Sequence, residues 1–199
     1  MRIAAAIAAA LAGGTASADV MLSDFESGTL DGWQNYSGNP IANVEIGGSK
    51  TMQLTINNQY WGQSVMQDWS NPQLTTTNFN ANSQLEFDVW IPSSYTWGGL
   101  AYHAELQSAG DPNWSGADLG LNVALKDAWQ HVVYDYSAGL PRTGAMTNLV
   151  TWFNPGWGPD AYTAQVIYID NIKLTQVPEP AALGLLSVGG IALIRRRRA

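Results

Sequence analysis

The sequence predicts an all-β chain, folded as an antiparallel β-sandwich or barrel. Three observations predict it. Short runs of alternating apolar and polar residues dominate between Asp19 and Val177. No long helical period interrupts them. Gly, Pro, Asn and Ser fill the gaps at roughly even intervals. In chain order, Val20 to Phe25 and Ile41 to Ile46 are the first, weaker candidates for strands. Lys50 to Ile56 and Gln59 to Gln67 follow, with Asn57-Asn58 as the turn between them. Gln84 to Ile91 carries the clearest pattern. Leu85, Phe87, Val89 and Ile91 face one way; Glu86, Asp88 and Trp90 face the other. Gly99 to Gln107 repeats it, setting Leu100, Tyr102, Ala104 and Leu106 against Ala101, His103, Glu105 and Gln107. Asp118 to Val123 and Thr147 to Phe153 are weaker. Trp129 to Tyr136 and Ala164 to Thr175 are rich in Val, Ile and Tyr, residues that favour strands.

Composition excludes several functions. The 199 residues include no Cys, so there is no disulfide framework, thiolate metal site or cysteine nucleophile. Between Asp19 and Val177 four Lys and Arg stand against fifteen Asp and Glu. Such a domain repels phosphate backbones, so nucleic acid is not its expected partner. His103 and His131 are the only histidines and lack the spacing of a zinc site. No phosphate-binding glycine loop, Gly-x-Ser-x-Gly or nucleotide fingerprint is present.

The two ends read as addresses. Arg2, the Ala-rich run from Ile3 to Leu11, and the small residues Ala16-Ser17-Ala18 predict a signal peptide over residues 1–18, cut after Ala18. At the other end Pro178-Glu179-Pro180 precedes an uncharged stretch from Ala181 to Ile194, and Arg195, Arg196, Arg197 and Arg198 follow. As a helix, residues 178–194 would span about 25 Å, slightly less than a ~30 Å hydrocarbon core. The four Arg would keep that end in the cytoplasm. This order of motif, apolar run and basic end resembles the PEP-CTERM sorting signal of Gram-negative bacteria. The resemblance implies a transmembrane segment at residues 181–194 that anchors the chain transiently in the inner membrane. An exosortase then cuts near Pro178-Glu179-Pro180, and the mature domain of residues 19–177 goes to the cell surface or extracellular matrix. A permanent single-span anchor is the alternative.

Three landmarks narrow the middle. Asp24-Phe25-Glu26-Ser27-Gly28 opens it, with Leu30-Asp31-Gly32-Trp33 close behind. Trp129 to Tyr136 lies late in it, and Tyr168-Ile169-Asp170-Asn171-Ile172-Lys173-Leu174 closes it. With Phe87-Asp88-Val89-Trp90-Ile91-Pro92 they resemble the non-catalytic carbohydrate-binding modules of galactose-binding-like, jelly-roll fold. The resemblance implies a jelly-roll sandwich that binds extracellular polysaccharide and is no enzyme. The alternatives are a jelly-roll glycosidase or polysaccharide lyase, and a purely structural matrix protein.

Trp33 and Trp129 sit in these landmarks and are expected in the core. Indoles on polar faces or in turns are expected on a ligand surface instead. These are Trp61, Trp90, Trp97, Trp114 and Trp157. His103 and Glu105 share a strand face with Gln107 and complete the candidate sugar site. If that strand neighbours Gln84 to Ile91, Glu86 and Glu105 come close enough for the carboxylate pair of a glycosidase.

The last expectation is a structural calcium ion. If the first and last strands are neighbours, Glu26 comes beside Asp170. The alternation from Ala164 to Leu174 slips at Asp170-Asn171, which predicts a bulge. Two close carboxylates with no basic neighbour call for a cation, and calcium takes oxygen ligands. The resemblance to binding modules implies the same pair, completed by the carbonyl of Lys50, with Asp24 a weaker candidate.

Overall fold

The computed structural model describes residues 18–36, 38–57, 62–67, 69–155 and 163–176. Two antiparallel sheets face one another. The first contains β1 (Val20–Ser23), β3 (Ile41–Ile46), β4 (Ser49–Ile56), β6 (Gln84–Trp90), β10 (Trp129–Asp135) and β12 (Gln165–Thr175), ordered β10-β6-β12-β4-β3. β1 also pairs with β12, so the first and last strands are neighbours as expected. The second contains β2 (Trp33–Tyr36), β5 (Gly62–Gln67), β7 (Ala101–Ser108), β8 (Trp114–Ser115), β9 (Leu119–Gly120) and β11 (Met146–Asn154), ordered β2-β5-β11-β7-β8 with β9 on β7. The one α-helix among the described residues, α1 (Thr76–Ala81), is a short connector capped by the Thr75 hydroxyl, which accepts the Asn78 N–H at 3.1 Å.

Alternation decides what each strand buries. Leu85, Phe87 and Val89 of β6 point inward, as do Tyr102, Ala104 and Leu106 of β7. The layers meet in an aromatic group. Phe87 lies 4.5 Å from Tyr102, and Phe153 of β11 lies 5.1 Å from Tyr102, both as ring centroids. Trp33 is 3 % exposed and its indole N–H donates to Ser23 Oγ at 2.9 Å, so it is a core residue as expected. Trp129 is not. Val132 and Tyr134 are the inward residues of β10, so Trp129, three before Val132, faces outward and meets Trp90 edge-on at 5.6 Å.

Two expectations change, one about neighbouring strands and one about an indole. β7 does not neighbour β6; it pairs with β11, β8 and β9 in the opposite sheet. Glu86 and Glu105 therefore stand on outer faces of different sheets with the core between them, and the glycosidase pair does not form. Trp97 is 2 % exposed and belongs to the core, edge-on to Tyr95, which corrects the expectation of an exposed indole beside Gly98-Gly99.

The closing strand behaves as the sequence predicts at Asp170. β4 pairs with Gln165–Ile169 of β12, β1 pairs with Ile172–Leu174, and the register with β6 shifts between Asp170 and Lys173. Asn171 has φ 53°, the left-handed conformation of a bulge. Where β12 exchanges one edge partner for the other, the loop after β1 meets the start of β4.

Candidate functional site

The outer face of the second sheet carries two of the side chains predicted to bind, His103 and Glu105. β7 turns His103, Glu105 and Gln107 outward. β11 sets Trp152 opposite His103, Val150 opposite Glu105 and Asn148 opposite Gln107. Val150 is only 2 % exposed although its side of β11 faces away from the core, whose inward residues are Leu149, Thr151 and Phe153. It therefore adds a buried apolar residue to this side of the sheet. Trp152, half-buried, packs its ring 5.7 Å from the His103 ring. β5 brings Gln63, Val65 and Gln67 into register beside these three β11 positions.

A chain of hydrogen bonds fixes the polar groups. Asn148 Nδ2 donates to Gln107 Oε1 at 2.6 Å, and Gln107 Nε2 donates to Glu105 Oε1 at 2.7 Å. Asn113 Nδ2 adds a second donation to that oxygen at 3.1 Å. His103 is held at both ring nitrogens, Nδ1 at 3.1 Å from Asp118 Oδ1 and Nε2 at 2.6 Å from Ser115 Oγ. Fixed amides and carboxylates beside a ring suit a polyhydroxylated ligand. Its C–H face meets the ring, and its hydroxyls meet groups that need no reorganisation.

The remaining predicted residues are distributed otherwise. Trp114 packs against the core; a side chain at Gly116 or Gly139 would strike its ring. Trp90 is half-buried on the outer face of the first sheet beside Trp129, with Tyr168 in register across β12. Trp61 and Trp157 lie outside the described residues, as do residues 1–17 and 177–199, where the expected signal peptide, the Pro178-Glu179-Pro180 motif and the apolar segment 181–194 fall. Sequence reasoning passed over Trp152, Asn113, Ser115 and Asp118. It also passed over Trp69, which is 73 % exposed.

On the first sheet Glu86 and Asp88 already have partners. Glu86 accepts from Thr175 Oγ1 at 2.7 Å and pairs with Lys173 Nζ at 3.0 Å and His131 Nε2 at 3.3 Å. Burial pulls its pKa upward, but hydrogen bonds from Thr175 and Lys173 and the nearby positive charges hold it below the ordinary carboxylate range. A general acid needs the opposite shift. Asp88 accepts Asn171 Nδ2 at 2.9 Å and lies 3.0 Å from His131 Nδ1.

At the β12 bulge, Ser49 Oγ lies 2.9 Å from Glu26 Oε1 and 2.8 Å from Asp170 Oδ2. The two carboxylates are thus within about 6 Å of each other, inside the reach of one ion at ~2.3–2.6 Å per bond. Asp170 is 3 % exposed. Its pKa is raised by burial and by the charges of Glu26 and Asp88, against hydrogen bonds from Ser49 and the Asn171 N–H. The expectation of no basic neighbour does not hold, since Lys50 Nζ donates to the Glu26 carbonyl at 3.1 Å. Asp24 turns to the Glu26 N–H instead, at 3.2 Å. Three hard oxygen donors, from Glu26, Asp170 and Ser49, fit calcium in kind. Among the described residues no group of three or more acidic or histidine ligands forms a ready cage.

Comparison with known proteins agrees with this architecture. Residues 176–198 match the family model of the PEP-CTERM protein-sorting motif. No curated protein matches the chain by sequence. Several solved structures share its fold. A module specific for non-crystalline cellulose, CBM28, superposes with a TM-score of 0.60 at 15% identity, covering 80% of this chain and 96% of that one. The family 11 module of Clostridium thermocellum, solved with a β-1,3-1,4-mixed-linked tetrasaccharide, gives 0.52 at 15%, covering 81% and 97%. A structure of promiscuous carbohydrate-binding modules of the β-sandwich superfamily gives 0.56 at 14%, covering 78% of this chain, which spans only 62% of that structure. The chain carries a PEP-CTERM sorting motif, the mark of an exported protein, behind a β-sandwich with the fold of carbohydrate-binding modules.

Proposed function

We propose that this is an exported cell-surface or matrix protein that binds extracellular polysaccharide through the outer face of its second sheet and does not cleave the glycan chain. One observation carries the reading: the His103–Trp152 ring pair and the buried Val150 share one sheet face with the pre-bonded chain Asn148–Gln107–Glu105–Asn113. Among the described residues Lys50, Lys126, Arg142 and Lys173 all have partners away from this face, so a neutral glycan suits it better than an acidic one. In this reading the signal peptide ends at Ala18 and the mature domain covers residues 19–177. The tail anchors the chain in the inner membrane of a Gram-negative bacterium until an exosortase releases it. Affinity electrophoresis in neutral polysaccharide tests the face. Trp152→Ala and Gln107→Ala should each weaken retention about tenfold, the loss of ~1.4 kcal/mol. Trp90→Ala on the opposite sheet should not. Retention that survives both changes but falls with Trp90→Ala would move the site to the first sheet.

A structural calcium ion forms the second part of the proposal. Glu26, Asp170 and Ser49 would hold it together with the carbonyl of Lys50, tying the loop after β1 to the start of β4 and the bulge of β12. It would carry no chemistry beyond neutralising the two carboxylates. Binding to the native state alone stabilises it by mass action, about 2.7 kcal/mol at a hundredfold excess over Kd. Excess chelator should therefore lower the melting temperature, calcium should restore it, and Asp170→Asn should abolish the response. A melting curve indifferent to chelator counts against the ion.

A further inference from the structure

Ser115, His103 and Asp118 are joined in one hydrogen-bonded line at the edge of the second sheet. His103 Nε2 lies 2.6 Å from Ser115 Oγ and Nδ1 lies 3.1 Å from Asp118 Oδ1. An ionised carboxylate only accepts, so Asp118 draws the ring proton to Nδ1 and leaves the Nε2 lone pair to take the Ser115 hydroxyl proton. This is the order of groups that activates a serine: nucleophile, base, orienting acid. We infer that Ser115, His103 and Asp118 form an acyl-transfer centre that hydrolyses small esters, with O-acetylated sugar as its substrate class. The choice of a sugar ester rests on the glycan-binding reading; the ester chemistry does not.

Local structure supports the assignment. Ser115 is exposed, so a carbonyl carbon has access to its Oγ. The next residue is Gly116, where a side chain would collide with the Tyr134 hydroxyl and the Trp114 ring. The segment is pinned on both sides, by Gly116 N–H donating to the Ala104 carbonyl at 3.2 Å and Tyr134 Oη to the Ala117 carbonyl at 3.0 Å. Ser115 and Asp118 thus reach His103 from one short, anchored turn. The Trp152 ring flanks the imidazole, whose side chain is 16% exposed. Asn113 and Ser115 lie two apart and contact Glu105 and His103, which themselves share one face of β7. Nδ2 of Asn113 spends one N–H on Glu105 and has a second to offer an oxyanion, as amide side chains do in other acyl transfers.

The reaction balances as ester plus water giving alcohol plus acid. Ser115 Oγ bonds to the acyl carbon as its proton passes to His103 Nε2. The bond from acyl carbon to sugar oxygen breaks, and His103 returns the proton to that oxygen. Water then attacks the acyl-serine and gives a proton to His103. The bond to Ser115 breaks, His103 reprotonates Oγ, and the carboxylic acid leaves.

The purified full chain should release nitrophenolate from 4-nitrophenyl acetate and take up a fluorophosphonate probe on the peptide containing Ser115. Ser115→Ala should lose the labelling and at least about 100-fold in rate. Asp118→Asn should keep the fold, shown by an unchanged circular dichroism spectrum, and lose a similar factor through the wrong ring tautomer. No labelling at Ser115, or equal hydrolysis by the Ser115→Ala protein, overturns the centre. Acetylated xylan separates the two readings. Acetate released from it supports the sugar ester; cleavage of the small ester alone keeps the acyl-transfer centre and overturns its proposed substrate.

Discussion

Trp33→Ala lowers the stability of the fold by about 3–5 kcal/mol, whereas Trp129→Ala costs only about 1–2 kcal/mol. The two indoles look alike in sequence, each lying in a landmark of the domain. Trp33 is 3 % exposed, and its N–H donates to Ser23 Oγ, which is itself buried. Removing the ring leaves a cavity the two sheets cannot close, together with a buried hydroxyl lacking its partner. Trp129 stands on an outer face, partly exposed, with Trp90 edge-on at 5.6 Å. Its loss removes one aromatic contact and opens no hole in the core. In a domain of this size the Trp33 change corresponds to a fall of roughly 6–20 °C in melting temperature. Thermal and urea unfolding of the two variants measure it. Equal losses would mean that Trp129 also packs between the sheets. Trp33→Phe, which keeps most of the ring volume, should recover the larger part of the stability.

The Trp pair also marks what the sequence made legible. Period-two alternation assigned the two sides of β6 and β7 correctly, because each has an unbroken apolar face: Leu85, Phe87 and Val89, then Tyr102, Ala104 and Leu106. The same pattern carries no information about which strand lies alongside. β6 and β7 are consecutive yet belong to different sheets, so alternation groups His103, Glu105 and Gln107 on one face without revealing their neighbours. Their actual partner, Trp152, sits in a run whose alternation is blurred by Val150 and Thr151, both buried on opposite faces. β2 escaped notice because Gln34 and Asn35 interrupt its apolar signal. α1 escaped because six residues held by one Thr75 cap make less than two turns. Trp97 departs from the expectation for a different reason. Adjacent glycines signal a turn, but the ring beside them folds inward against Tyr95. The meeting of Glu26 with Asp170 was legible. The slip in alternation at Asp170-Asn171 is a feature of local sequence, whereas the pairing of the first and last strands followed from the jelly-roll fold that the landmarks imply.

The same physics predicts an acid response from the connection between β7 and β8, which positions Asn113 and Ser115. Arg142 is buried there, donating from Nε to Ser108 Oγ at 2.8 Å and from a terminal nitrogen to the Pro112 carbonyl at 2.7 Å. Its own backbone exchanges hydrogen bonds with the Asn80 side chain of α1, both at 2.8 Å. Asp111 faces it from 3.6 Å and accepts the Thr143 hydroxyl and the Thr143 and Gly144 N–H groups. Those hydrogen bonds, led by the Thr143 hydroxyl, with a smaller contribution from the Arg142 charge, lower the Asp111 pKa to about 2. A carboxylate whose folded pKa is depressed stabilises the fold above its unfolded pKa and loses that contribution as pH falls through the folded value. Stability from Asp111 is therefore full at neutral pH and declines from about pH 4 toward pH 2. Asp111→Asn should lower the melting temperature at pH 7 and flatten its fall across that acid window. Arg142→Ala should cost about 1–3 kcal/mol by leaving the buried Ser108 hydroxyl without its donor and removing the link to the Pro112 carbonyl. Arg142→Lys should recover part of this, because one ammonium replaces a fork that reaches both acceptors. Melting curves of the four proteins between pH 2 and 7 decide it. If the parent and Asp111→Asn curves run parallel through the acid range, Asp111 has an ordinary pKa and the clamp gains nothing from its charge.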